Sequence, residues 1–418
     1  MRLLRLPIAQ IAFVCTATAI PGLAADATPK RDAHARPLIL VHYMPWFEAK
    51  PVSGDWGWHW TMGRFNPDHI DATGQREIAS HDYPLIGPYD SADPDVLEYH
   101  TLLMKVAGID GAIADWYGTD GVNDYGAIHR RTELLFDTLG KRGLRFAVCY
   151  EDRALKAIAE QKKLTSEQVV EHARAHVRFC AEHWFNDPLY LTWNGKPLLL
   201  VFGPDYLQAD QWRALFSSLK QSPAYFSLHE RKEPASGTFA WPPMWLSKNG
   251  TVDPTDLNTY LDRFYAAPDP KIGAAFPRFH DIYEQAGVHP SYGRIDARDG
   301  ATFRETLERA LSSGAPFVQI ATWNDFGEGT TIEPTRDHGY RDLETIQNIR
   351  RRDPGEHLPF RAADLRLPLR IYQLRRKAGI RPEQRKAIDD AARFLGDGDP
   401  GQAEQALRTL EQSVDRPN

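Results

Sequence analysis

The chain has 418 residues, 42% hydrophobic and 25% charged, with a formal net charge of −6. That balance argues against a multispanning membrane protein and against a disordered chain, and the lack of a basic stripe argues against nucleic acid as a partner. Aromatic residues make up 11%, enough ring surface for a core and for stacking on sugars.

Arg2 and Arg5 precede a mostly apolar stretch, Leu6 to Ile20, and small residues follow at Gly22, Ala24 and Ala25. This pattern predicts a cleavable signal peptide over residues 1–24, and with it a periplasmic or extracellular location. The apolar stretch is too short to span a bilayer. After cleavage Cys149 and Cys180 remain, which allows one bridge or, as preferred here, two buried thiols. With no Cys-x-x-Cys pair and no His-Glu-x-x-His helix, a zinc site has little support.

From residue 37 to 358, short apolar runs alternate with amphipathic stretches. The expected strands are Pro37–Tyr43, Ile109–Trp116, Leu144–Glu151, Pro197–Phe202, Ala224–His229, Phe239–Trp241, Ile272–Phe276 and Phe317–Trp323. Helices are expected at Asp93–Val106, Tyr125–Lys141, Ser166–Trp184, Asp210–Leu219, Pro254–Tyr265 and Thr302–Ser312. Strand–helix alternation favours parallel pairing, and eight strands favour closure into a (β/α)8 TIM-type barrel. Trp46–Asp90 then reads as an insertion over the barrel mouth. Residues 359–418 read as a C-terminal helical extension, with helices at Pro382–Phe394 and Gln402–Gln412 forming a hairpin that packs on the barrel or binds a partner.

In such a barrel, active groups stand at the carboxyl ends of the strands. Those ends carry Tyr43, Asp115-Trp116-Tyr117, Glu151, His229-Glu230, Arg278-Phe-His280-Asp281 and Trp323-Asn-Asp325-Phe-Gly-Glu328. The amino ends show no comparable cluster. Asp325 and Glu328, three apart beside Gly327 and Gly329, can share one side of a turn. Paired acids in an aromatic setting are what glycosidic cleavage needs, one protonated and one ionised. Glu151 shares a strand face with Ala147 and Cys149, so it points into the lumen as a sugar-hydroxyl acceptor or, equally, pairs with Arg153 or Arg278. Trp116, Tyr117 and Trp323 are candidate sugar contacts at the strand ends. Trp56, Trp58 and Trp60 form a candidate sugar platform with Asp55 and His59 beside them, although His59 alone reads as a structural residue.

Three motifs occur in order: Tyr83-Pro-Leu-Ile-Gly-Pro-Tyr-Asp-Ser-Ala-Asp-Pro-Asp-Val96, Ala107-Gly-Ile-Asp-Gly with Asp115-Trp-Tyr-Gly118, and Trp323-Asn-Asp-Phe-Gly-Glu-Gly-Thr-Thr-Ile-Glu-Pro334. Together they resemble glycoside hydrolase family 99 and the related family 71/99-like group. The resemblance implies a (β/α)8 barrel and an endo-acting α-glycosidase without a cofactor, an α-mannosidase in family 99 and an α-1,3-glucanase in family 71. It implies Glu328 as general acid and Asp325 as general base, acting on the sugar 2-hydroxyl, with Glu151 contacting sugar. Tyr43, His59 and Trp60 fall in the family's binding stretches. Family 99 has Glu-Trp-His-Glu where Asp325-Phe-Gly-Glu328 stands. An Asp base is shorter by about 1.5 Å, one C–C bond, which leaves room for a water and hence for inversion.

The function expected is therefore an exported glycoside hydrolase that cuts internal α-glycosidic bonds of a polysaccharide or glycan. The alternatives are an inverting α-1,3-glucanase-like hydrolase and a non-catalytic carbohydrate-binding barrel. A metal-dependent hydrolase would need convergent histidines, for which His42, His229 and His280 are the candidates.

Overall fold

The computed structural model describes residues 36–352 and 358–414; the expected signal peptide lies outside the described residues. Eight parallel strands form the core: β1 (Leu38–Tyr43), β2 (Gly111–Trp116), β3 (Arg145–Tyr150), β4 (Lys196–Val201), β5 (Ala224–Leu228), β6 (Gly237–Phe239), β7 (Gly273–Ala275) and β8 (Phe317–Ile320). They pair in the order β6-β5-β4-β3-β2-β1-β8-β7. The two ends of this path meet where Thr238 N donates to Pro270 O and Ile272 N to Thr238 O, each at 2.9 Å. The architecture is a nearly closed (β/α)8 barrel with helices at the C-terminus.

β1 and β4 run as Leu-Ile-Leu-Val and Leu-Leu-Leu-Val because parallel barrel strands are covered on both faces. β7 is short and small. A Cβ on Gly273 would sit 3.1 Å from Ala310 Cβ and Val318 Cγ2, so glycine is what lets the helix Ala301–Ser312 approach. The helix Pro94–Ala107 starts on the Asp93 cap, whose side chain accepts from Asp95 N, and ends at Gly108 with φ +81°. Helices at Ala154–Lys162 and Arg341–Arg350 were not anticipated. The link from β5 to β6, residues 229–236, contains no helix.

The insertion carries one helical turn, Trp58–Thr61, and builds its own core around Phe47, Trp60, Tyr89 and Phe326. Helices Pro382–Gly396 and Pro400–Val414 bury Ala391, Leu395, Ala403 and Leu407. Arg142 Nη1 donates to Ala392 O at 3.3 Å, and Arg375 pairs with Glu98, which ties this hairpin region to the helices around β2. Cys149 and Cys180 are buried free thiols. Among the described residues no helix is long and apolar enough to cross a membrane.

At the amino end of the barrel, Asp110 accepts two hydrogen bonds from Arg36, both at 2.8 Å, and one from Ile39 N at 2.7 Å. Arg350 also donates to it. This cluster closes the bottom of β1 and β2.

Candidate active site

A cleft of about 330 Å³ opens at the carboxyl ends of the strands. β2 delivers Asp115 and Tyr117 to it, β3 delivers Glu151 and Arg153, and the segment after β8 delivers Asp325, Gly327 and Glu328. Trp46, Trp58 and His59 come from the insertion, and Trp241 follows β6.

The turn after β8 is pinned from several sides. Asp325 N donates to Thr322 Oγ1 at 2.8 Å, and Glu328 N donates to Asp325 Oδ1 at 3.0 Å. Asn324 donates to Met44 O and to Tyr89 Oη, both at 3.0 Å, while accepting from Met44 N at 2.8 Å. His280 N and Ile282 N donate to the carbonyls of Glu328 and Gly327 at 2.8 and 3.0 Å. Gly329 has φ +63°, and a Cβ there would lie 2.6 Å from His280 O, so only glycine fits. At Gly327 a Cβ would lie 2.9 Å from Met62 Cε.

The two β8 carboxyls experience different surroundings. Burial raises Asp325 to about 6, opposed by the backbone N–H groups of Glu328 and Gly327, which favour its carboxylate. Burial and then the neighbouring Asp325 charge push Glu328 well above the usual carboxylate range. Trp241 opposes this by donating from Nε1 to Glu328 Oε2 at 3.1 Å. Across the cleft, burial raises Glu151 to about 7 against the pull of Arg153. Burial, then Glu151, raises Asp115 as well. The arrangement holds a proton on Glu328 while leaving Asp325 ionised near neutral pH.

Of the residues expected at the site, Glu328, Asp325, Glu151, Tyr117 and His59 line the cleft. Tyr43, Trp60, Trp116 and Trp323 do not: all four are fully buried. Trp116 follows the lumen-facing Asp115 and so points the other way, into the helix layer against His176 and Trp184. Trp60 packs on Phe47 and donates to Tyr89 O at 2.7 Å. Trp323 meets His100, and Tyr43 bonds His100 Nδ1 at 2.9 Å. These rings belong to the packed interior and not to the cleft wall. Asp55 is exposed and Trp56 donates to Asp68, so Trp58 and His59 are what the predicted platform brings to the cleft. Trp46, Trp241 and Tyr292 are cleft residues that the sequence reading does not single out, and Asp115, noted there only as part of a strand end, joins them; for Asp115 the strand period alone is sufficient signal.

The three candidate metal histidines have separate partners. His42 is buried under Trp241, with burial lowering it to about 3. His280 stacks on His81 at 3.7 Å, and His229 meets Trp245. Among the described residues no group of three or more His, Cys, Asp and Glu side chains is placed to hold a metal ion.

Residues 36–239 match the family description "Glycosyl hydrolase family 99". Over that segment, just under half of its length, the chain is similar to family 99. The matched segment runs from β1 to β6, so Asp325 and Glu328 lie beyond it. A glycoprotein endo-alpha-1,2-mannosidase-like protein of Danio rerio is 21% identical over 291 residues, 65% of this chain and 61% of that protein. One from Mus musculus is 28% identical over 110 residues, 24% of each chain. The chain thus spans about three fifths or less of these curated relatives. The solved family 99 endo-alpha-mannosidase of Bacteroides thetaiotaomicron superposes with a TM-score of 0.55 at 20% identity, over 74% of this chain and 94% of that one. At that identity the superposition establishes the shared fold.

Proposed function

We propose that this chain is an exported, endo-acting α-glycosidase, similar to the endo-α-mannosidases, that uses Glu328 as general acid and Asp325 as general base. One observation carries the reading: the cleft holds two adjacent carboxyls whose surroundings drive their protonation apart. Glu328 gives its proton to the glycosidic oxygen as the bond from that oxygen to C1 breaks. Asp325 takes the proton from the group that attacks C1. If that group is the sugar's own 2-hydroxyl, an anhydro-sugar forms, water opens it, and the anomer is retained. If it is a water, the anomer inverts.

Trp58 and Tyr292, 48% and 50% exposed at the cleft rim, supply faces for sugar rings. Burying uncompensated carboxylates weakens a fold, and a pure binding protein gains nothing from it. That disfavours the non-catalytic alternative.

The deciding experiment is Glu328→Gln assayed on α-mannan and α-1,3-glucan. Hydrolysis falls by about 10²–10⁴-fold, the scale of a lost general acid, while polysaccharide binding persists. Undiminished hydrolysis removes Glu328 from the mechanism. NMR of the first-formed anomer assigns the nucleophile. Export is tested by sequencing the N-terminus of protein recovered from periplasm or medium, which begins at Ala25 or Asp26 if the leader is cleaved as read.

A further inference from the structure

We propose that this protein carries a second glycan-binding site, on the barrel flank beside β5 and β6, that holds the polymer outside the catalytic cleft. The inference rests on the glycosidase reading above. Where a (β/α)8 barrel ordinarily covers each strand pair with a helix, the link at residues 229–236 has none. The uncovered flank forms a groove of about 860 Å³, within the size range of ligand sites.

Its walls combine rings with hydrogen-bonding groups, as a sugar site does. Trp245 is 50% exposed, and among the described residues it is the exposed large aromatic that does not belong to the catalytic cleft. It is fixed edgewise against His229, with ring centroids 4.6 Å apart, and against Tyr260 at 5.8 Å. His229 Nδ1 and Tyr260 Oη lie 2.9 Å apart, so the three rings brace one another. His229 holds φ +61°, a left-handed conformation that costs about 1–2 kcal/mol outside glycine, and its N–H donates to Phe239 O at 2.6 Å. Strain retained to brace an exposed indole points to use of that indole. Arg263, which lines the same groove, makes no ion pair or side-chain hydrogen bond among the described residues, leaving its guanidinium available to hydroxyls. Most other charges of the rim are already paired, Arg231 with Asp269 at 2.9 Å for example. One exposed ring braced by two half-buried ones, with scattered polar groups, suits a glycan better than a protein surface, which needs a broader apolar patch.

Position also favours the polymer itself as occupant. Trp241 forms a wall of the catalytic cleft, and the single turn Met244–Leu246 carries the chain from it to Trp245. Four positions of chain thus separate a ring of the cleft from the ring of the flank, which suits one polymer held at both.

The test is affinity electrophoresis in α-mannan gels and pull-down on α-1,3-glucan, in the Glu328→Gln background to prevent digestion. Trp245→Ala weakens polymer binding by about five- to tenfold, the factor of one aromatic contact. Trp245→Phe restores most of it, and Arg263→Ala gives a smaller loss. With Glu328 intact, Trp245→Ala leaves kcat/KM on the shortest cleaved oligosaccharide unchanged. Unaltered polymer binding in Trp245→Ala overturns the proposal, as does parallel loss on the short substrate or failure of the parent protein to bind either polymer. Normal hydrolysis by Glu328→Gln would instead overturn the catalytic reading, with the binding comparison still standing on its own.

Discussion

Carboxylates at the two ends of this barrel are treated in opposite ways. At the amino end, Asp110 is held by Arg36, Arg350 and the Ile39 N–H, so its charge is matched by guanidinium groups. At the carboxyl end, Asp115, Glu151, Asp325 and Glu328 gather in one cleft, and none of them forms an ion pair among the described residues. The guanidinium that lines the cleft, Arg153, bonds Asp205 instead, at 3.0 Å. The same side-chain chemistry thus serves cohesion where it is neutralised and reactivity where it is not.

The largest effects expected lie in the cleft. Asp325→Asn, like Glu328→Gln, lowers kcat by about 10²–10⁴-fold, measured as reducing ends released. Asp110→Ala marks the contrast: it removes the carboxylate that Arg36 and Arg350 share and costs about 3–5 kcal/mol in urea unfolding, with kcat of the folded protein retained. If Asp110→Ala were the variant that lost turnover and kept stability, the division between the two ends would be wrong.

Smaller changes sharpen the same contrast. A carboxyl raised on folding lowers stability once pH exceeds its unfolded value, so Glu328→Gln, though inactive, gains about 0.5–2 kcal/mol at pH 7. Calorimetry should show a higher Tm. The pH–rate profile falls below about 6 as Asp325 takes up a proton, and falls again at higher pH as Glu328 gives its proton up. Trp241→Phe removes the N–H that favours ionised Glu328, so the alkaline limb moves to higher pH. That shift is the smallest of the set.

Much of the scaffold was legible in the sequence because continuous apolar runs such as Leu198–Val201, too short for a buried helix, read as doubly covered strands. β6 and β7 were hard to place: Gly237-Thr-Phe239 and Gly273-Ala-Ala275 are short and carry little pattern, Gly273 giving room to a helix and Gly237 to Pro270 O and the Phe226 ring. Acids at strand ends were legible because topology alone sends them to the mouth. The rings were not. Asp115 and Trp116 are neighbours in sequence, yet one faces the lumen and the other the helix layer. Counting aromatics near a strand end without tracking alternation assigned Trp116 and Trp323 to the wrong side. Trp60 failed for another reason, because a loop read as a surface platform folds onto Phe47 and Phe326 and supplies its own interior.

Gly327 has a bearing on how this lineage can change what it accepts. The related Glu-Trp-His-Glu pattern puts an imidazole at that place, and here the terminal methyl of Met62 occupies the adjoining space. Met62 is backed by Ala79, Ile282 and Ala286, so if a side chain is added at 327, the methyl must yield into the cleft it lines. That methyl is the far end of a flexible side chain and can swing aside, so two uncharged residues in contact, neither of them acting on a proton, set how much room a sugar has.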